Sequence, residues 1–128
     1  MKADEMKSSS SNVTIKSAYR TQSAGNWVIH KYKNVVGCQI VGIKGITTKN
    51  QMVEVGTIPE KYVPTFTSVY KVSIGHKSGG VLVNNIKFLF SFLHSGTIQI
   101  CQYTTGSVDS SEFTFYDDVI WIWSIFTK

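Results

Sequence analysis

Proline and cysteine are scarce in this chain, and long apolar runs are missing. The 128 residues contain two prolines and two cysteines. No stretch approaches the roughly 20 apolar residues that a membrane-spanning helix needs. The first five residues, MKADE, are charged where a secretory signal peptide has an apolar core. We therefore expect one compact domain that does not insert into a membrane and is not built on disulfides.

The two cysteines and three histidines lack the spacing of metal sites. Cys38 and Cys101 lie in apolar runs without a CxxC or Cys/His arrangement, which favours buried free thiols. A disulfide between them stays open, because sequence cannot place two sulfur atoms close together. His30, His76 and His94 are isolated and form no HxH pair. We expect no metal and no cofactor.

Signatures of catalysis are also missing. No nucleophile-elbow motif surrounds any serine or cysteine. Glycoside cleavage needs two carboxylates that face each other, but Asp117 and Asp118 are adjacent and would point to opposite sides of a strand. The sequence therefore predicts a binding or assembly protein rather than an enzyme.

Arginine is nearly absent, although the net charge is +5. Residues 16–87 carry ten basic residues and two glutamates, a balance of +8, whereas residues 88–128 have a balance of −3. This asymmetry is consistent either with a surface that faces an anionic polymer or with lysines that only confer solubility. Because Arg20 is the one arginine, nucleic acid is not an expected partner.

Strand-forming residues dominate what is present. Apolar residues alternate in short runs separated by Gly- and Asn-containing turns, and residues 75–80 read as one such turn. In the longest run, Ile86, Phe88, Phe90 and Phe92 share one face. We predict an all-β fold, an antiparallel β-sandwich of jelly-roll type, with a barrel as the alternative. Residues 1–11 read as a flexible arm and residues 12–128 as the single domain.

The final run, from Val119 to Phe126, is apolar on both faces. Val119, Trp121 and Trp123 alternate with Ile120 and Ile122. One face can lie against the core, while the other needs a second cover. The sequence therefore predicts an oligomer interface formed by Ile120, Ile122 and Phe126.

Exposed aromatic side chains are candidates for sugar binding, because a ring face packs against a pyranose while polar neighbours donate hydrogen bonds. The same residue types also fill sandwich cores. The candidate saccharide-binding residues are Trp27, Tyr32, Tyr70, Tyr103 and Tyr116.

Two segments carry a resemblance to a known group of proteins. Residues 26–40, NWVIHKYKNVVGCQI, look like the Trp, basic-aromatic, turn and strand opening of C-terminal domains in phage tail and baseplate proteins. Residues 56–64, GTIPEKYVP, resemble the G-T-L-P-E-x-Y-x-P segment of those domains, and residues 95–100, SGTIQI, resemble the strand that follows it. The order and spacing are similar to tail proteins from phages or prophages of Gram-positive hosts.

This resemblance implies a β-sandwich appendage domain, generally a homotrimer, at the tail tip or baseplate of a virion. It implies adhesion to host cell-wall polysaccharide and contact with other tail or baseplate proteins. A phosphate-bearing glycan would suit the basic segment. Two alternatives stay open: a purely structural tail module, and a carbohydrate-binding module of a secreted hydrolase.

Overall fold

The computed structural model describes residues 8–21, 27–65, 67–77, 81–104 and 112–123. Apart from one 3-10 turn at Glu60–Tyr62, the regular elements in these ranges are strands. Among the described residues, no helix has the length and apolar character needed to cross a membrane. The strands, in chain order, are β1 Ser8–Asn12, β2 Thr14–Ile15, β3 Val28–Tyr32, β4 Val35–Ile43, β5 Met52–Thr57, β6 Val69–Lys77, β7 Val81–Phe92, β8 Thr97–Thr104 and β9 Phe113–Ile122.

All nine strands belong to one antiparallel sheet with the order β1-β3-β4-β9-β6-β7-β8-β5-β2. The all-β antiparallel prediction is confirmed. The two edge strands, β1 and β2, are separated along the chain only by Val13. Because neighbouring Cα atoms are about 3.8 Å apart, the end of β1 and the start of β2 lie within a few ångströms, so one continuous segment pairs with β3 and then with β5. The sheet therefore curls into a nearly closed barrel, and its finer description as a jelly-roll sandwich stays a prediction.

Aromatic side chains fill the interior. Phe88, Phe90 and Phe92 are fully buried, and the predicted inward face of β7 is thereby confirmed. The Phe115 ring meets Phe88 and Phe90 edge to face, at centroid distances of 5.1 and 4.9 Å. This geometry places the positive ring edge against the negative ring face, which adds to the stabilisation from burial. The Trp27 ring packs against the same phenylalanines, with its centroid 5.7 Å from that of Phe90.

The polar start of the domain is a strand rather than an arm. The four serines and Asn12 of β1 pair along their whole length with β3. Within the expected arm of residues 1–11, the residues from Ser8 onwards are therefore part of the sheet, and residues 1–7 lie outside the described residues. A uniform serine run hides strand periodicity, yet the backbone hydrogen bonds that form an edge strand do not depend on side-chain type.

The predicted turn at residues 75–80 is also revised, because β6 continues to Lys77. Gly75 sits at a register shift between Ile74 and His76. A Cβ atom there would lie 2.8 Å from the Phe113 ring. Glycine is used at this position for close packing within a bulged strand rather than for a turn.

Candidate binding surfaces

One outer wall of the barrel is apolar. In register, Tyr32 of β3 lies beside Val35 of β4, which lies beside Ile122 of β9, and the next row places Gly37 between the exposed His30 and Ile120. Ile120 and Ile122 are 65% and 61% exposed. We call the surface formed by Tyr32, Val35, Gly37, Ile120 and Ile122 the apolar face.

The exposure of this wall matches the prediction that β9 is apolar on both sides. Val119 and Trp121 point inward and are buried, whereas the alternate isoleucines meet solvent. At Gly37 the missing side chain leaves a shallow depression, since a Cβ there would still be 4.0 Å from Ile120. Phe126, the third predicted interface residue, lies outside the described residues.

A second outer wall carries two exposed tyrosines. Tyr70 of β6 is 60% exposed and Tyr103 of β8 is 43% exposed, with β7 between them. Two strand spacings separate them by about 10 Å across the sheet. Tyr70 lies in the same row as Gln99 of β8, and Tyr103 is four residues further along β8. The two tyrosines are therefore also offset by about 13 Å along the strand direction. We call the surface formed by Tyr70, Val72, Met52 and Tyr103 the tyrosine face.

Cys101 lies buried between the strands of this wall and next to Tyr103. A hydrogen bond with the Cys101 side chain is the main reason why the pKa of the Tyr103 phenol is raised. The phenol therefore keeps its proton at neutral pH and remains a hydrogen-bond donor. Both tyrosines present what sugar binding asks for, a ring face beside a hydroxyl.

The other predicted sugar-binding residues fall elsewhere. Trp27 is 1% exposed and its Nε1 donates a 2.8 Å hydrogen bond to the Gly42 carbonyl, so the indole belongs to the core and presents no face to a ligand. Tyr32 lies on the apolar face, away from Tyr70 and Tyr103. Tyr116 lies in β9, and its side chain is outside the described part. The five predicted residues do not form one site.

Basic and aromatic side chains meet at one end of the barrel. The Lys31 ammonium lies 3.3 Å from the centroid of the Trp123 ring. Lys61, in the 3-10 turn, is close enough for its charge to act on Lys31. Lys33, in the β3–β4 turn, lies elsewhere, because its ammonium is 5.6 Å from the centroid of the Tyr32 ring on the apolar face. We call Lys31, Lys61 and Trp123 the lysine cluster.

Three hydrogen bonds fix the segments that carry Lys61 and Trp123. Trp121 Nε1 donates to the Tyr62 carbonyl at 3.0 Å, and the Tyr62 hydroxyl is 3.1 Å from Ser9 Oγ. The Trp123 backbone N–H donates to the Asn34 carbonyl at 2.7 Å. The 3-10 turn is thereby fastened across the ends of β1 and β9. Sequence reasoning missed this cluster, and its one signal was the excess of lysine in residues 16–87.

Burial keeps the Cys38 thiol protonated at neutral pH, because it raises the pKa of that thiol. Cys38 and Cys101 are both free and buried, on different strands. Burial, with a smaller effect from Asp118, raises the pKa of the Cys38 thiol to about 12. Within the described residues, no group of three or more His, Cys, Asp or Glu side chains could hold a metal ion.

Comparison with known proteins finds a likeness of structure but not of sequence. No known protein family matches the chain, and no curated protein sequence is similar to it. Among solved structures, the chain is similar to the receptor binding protein (gp15) of Listeria phage PSA, with a TM-score of 0.61 and 12% sequence identity. The match covers 94% of this chain and 67% of that chain. At this identity the likeness establishes a shared fold.

Proposed function

We propose that this domain is a receptor-binding domain of a phage tail or baseplate and that it adheres to host cell-surface polysaccharide. The observation that carries the proposal is the tyrosine face, on a fold shared with a phage receptor binding protein. The resemblance of residues 56–64 to tail-protein domains supports the same assignment. In this role the domain lies at the distal end of the virion, binds without catalysis and needs no cofactor.

The tyrosine face suits a weak, repeated ligand. Tyr70 and Tyr103 stand on β6 and β8, which both pair with β7, so the sheet fixes their separation before any ligand arrives. A rigid platform loses little conformational entropy on binding. Each ring offers an apolar face and a hydroxyl, and Gln99 and Lys87 add hydrogen-bond donors in the same rows. Such contacts are individually weak and become useful when several copies bind one polymer.

A homotrimer would supply those copies, and we assign its contact to the apolar face. Ile120 and Ile122 project from a wall that also exposes Val35 and Tyr32. Contiguous apolar side chains on a soluble surface commonly mark protein contacts. The same observation favours a second candidate function, a structural module that joins other tail or baseplate proteins without binding sugar.

Retention on purified Gram-positive cell walls tests the adhesion proposal. We expect the wild-type domain to sediment with walls of at least one host at low salt. Replacing both tyrosines, Tyr70→Ala with Tyr103→Ala, should reduce retention about tenfold or more, because two stacking contacts are lost.

The matched control is the pair Tyr70→Phe with Tyr103→Phe, which keeps both rings and should retain most of the binding. Absence of retention on every wall in a broad host panel would contradict adhesion. A saccharide panel that leaves the melting temperature unchanged, together with capture of a tail protein, would support the structural module instead.

A further inference from the structure

The lysine cluster brings together two lysines that form no ion pair with a described carboxylate, although Glu60 precedes Lys61 in the 3-10 turn. The two cations come from separate segments: Lys31 belongs to β3, and Lys61 belongs to the 3-10 turn that packs on it. Neither Lys31 nor Lys61 forms an ion pair with a carboxylate of the described residues. By contrast, Lys16 pairs with Glu54 at 3.4 Å and Lys71 with Asp117 at 3.8 Å.

Trp123 holds Lys31 in position. An ammonium 3.3 Å above an indole ring is attracted by the negative ring face, and this attraction limits the rotamers of a long flexible side chain. The Trp123 ring covers one side of the Lys31 ammonium. Because the ammonium has three N–H donors, donors on its other side remain available for another partner. Trp123 is itself anchored through its backbone N–H to Asn34. Lys31 is therefore positioned without a counter-ion.

The environment of Lys31 disfavours its positive charge. Partial burial, and secondarily the charge of Lys61, lower the pKa of the Lys31 ammonium. Both effects disfavour the charged form in the ligand-free protein. A bound anion would reverse the second effect, because it would place negative charge between two like charges.

We propose that the lysine cluster is a binding site for a phosphate group of an anionic, phosphate-bearing saccharide polymer. Lys31 and Lys61 contact the phosphate oxygens from two sides, and Trp123 positions Lys31. The inference deepens the proposed function by giving the polysaccharide a charge and a second contact site. The cluster lies at the end of the barrel, away from the tyrosine face on the wall.

Titration of the isotope-labelled domain with inorganic phosphate and with a linear glycerol-phosphate polymer tests the site by NMR. We expect saturable shifts of the Trp123 indole and Lys31 side-chain resonances, with tighter binding of the polymer. Lys31→Gln with Lys61→Gln should weaken binding about tenfold or more, because two charge-assisted contacts are lost. Lys31→Arg keeps the charge and should bind the polymer nearly as tightly as wild type. The weaker binding of the glutamine variant then reflects the missing charge and not misfolding.

Lys16→Gln with Lys71→Gln is the matched control, since it removes the same two charges from lysines that each have a carboxylate partner. We expect its affinity for the polymer to stay within about twofold of wild type. Equal weakening by the control, unmoved Trp123 resonances, or preference for a single-stranded oligodeoxynucleotide over the glycerol-phosphate polymer would each overturn the proposal.

Experiments can distinguish a failure of the phosphate-site proposal from a failure of the adhesion proposal. If the Lys31 and Lys61 double variant still sediments with cell walls, and walls stripped of phosphate polymer are bound equally well, adhesion stands and the phosphate site is wrong. If the polymer binds at Trp123 but no wall retains the domain, the phosphate site stands and adhesion is wrong.

Discussion

The three tryptophans occupy two kinds of environment, and each kind has its own consequence. Trp27 and Trp121 are buried and donate indole hydrogen bonds to the carbonyls of Gly42 and Tyr62. A buried indole N–H without an acceptor would cost about 1–3 kcal/mol, so these bonds fix where the rings can sit. Trp123 is only half-buried and lies under Lys31. It is therefore the indole that can report on ligands.

Cys38 should make the stability of the domain depend on alkaline pH. Its thiol has a pKa of about 12 in the folded protein against an ordinary value of 9.0. The unfolded chain ionises first, so the contribution of the neutral buried thiol is complete below pH 9 and is lost as pH rises towards 12. The advantage of wild type over Cys38→Ala should fall by up to about 1.4 kcal/mol per pH unit above pH 9.

Denaturant unfolding between pH 8 and 11 measures this difference. Titration of other groups is common to both proteins and cancels. Val36→Ala is the control, because Val36 is equally buried on the same strand and cannot ionise. The difference in unfolding free energy between Val36→Ala and wild type should not change with pH. If the difference for Cys38→Ala is equally constant, the Cys38 thiol does not titrate as described.

At the scale of the elements, the junction between β6 and β9 is held differently from the other strand pairs. The described register contains one backbone pair there, His76 with Thr114. Side chains supplement it: the Ser73 hydroxyl donates to the Asp117 carboxylate, which also pairs with Lys71. Asp117 thus joins two strands that share few backbone hydrogen bonds.

Removing this carboxylate should weaken the junction. Asp117→Ala leaves the buried Ser73 hydroxyl without its acceptor, which costs about 1–3 kcal/mol. The partly exposed pair with Lys71 adds less than about 1 kcal/mol. Urea unfolding measures the loss, with Asp118→Ala as the control, because Asp118 is exposed and should change stability by less than about 0.5 kcal/mol. Equal effects of the two substitutions would refute the role of Asp117.

Strand β1 should be a structural part of the domain despite its composition. We compare a chain that lacks residues 1–12 with one that lacks only residues 1–7. The shorter chain loses the whole β1–β3 pairing and exposes the edge of β3, so its melting temperature should be about 10 °C lower or more. Ser10→Ala keeps the backbone of an exposed position and should melt within about 2 °C of wild type. Equal melting of the two truncated chains would mean that β1 adds no stability.

At the scale of the whole molecule, closure of the sheet hides one side of every strand and leaves the other side outward. An outward apolar wall then has no cover within the described chain. The apolar face and the tyrosine face lie in different strand groups, β3-β4-β9 and β5 to β8. One can therefore serve assembly while the other contacts a ligand.

Assembly through the apolar face predicts a defined mass in solution. We expect light scattering to give a trimer for wild type and a monomer for the double substitution Ile120→Ser with Ile122→Ser, because burial of both side chains would contribute about 3 kcal/mol or more per contact. Val72→Ser, which removes a side chain that is 59% exposed on the other wall, should remain trimeric. A wild-type domain that is monomeric at micromolar concentration would contradict the assembly proposal.

Much of the strand order along the chain could be read from periodicity, but the sites could not. The inward residues of β7 and β9 were predictable because alternation alone separates two faces of a strand. The same alternation could not tell that Trp27 is a core residue and Tyr70 a surface residue. Burial depends on which strands lie opposite, and the pairing partners of β9 are residues 35–43 and 69–77.

The sequence by itself determined that the chain is all-β, that β9 is apolar on both sides, and that basic charge is concentrated in residues 16–87. These follow from local composition and from the two-residue period of strands. Only the tertiary structure decided that the serine run is an edge strand, that the sheet nearly closes through Val13, and that Lys31, Lys61 and Trp123 meet. Those outcomes depend on contacts between residues far apart in the chain, and sequence spacing contains no distance between such residues.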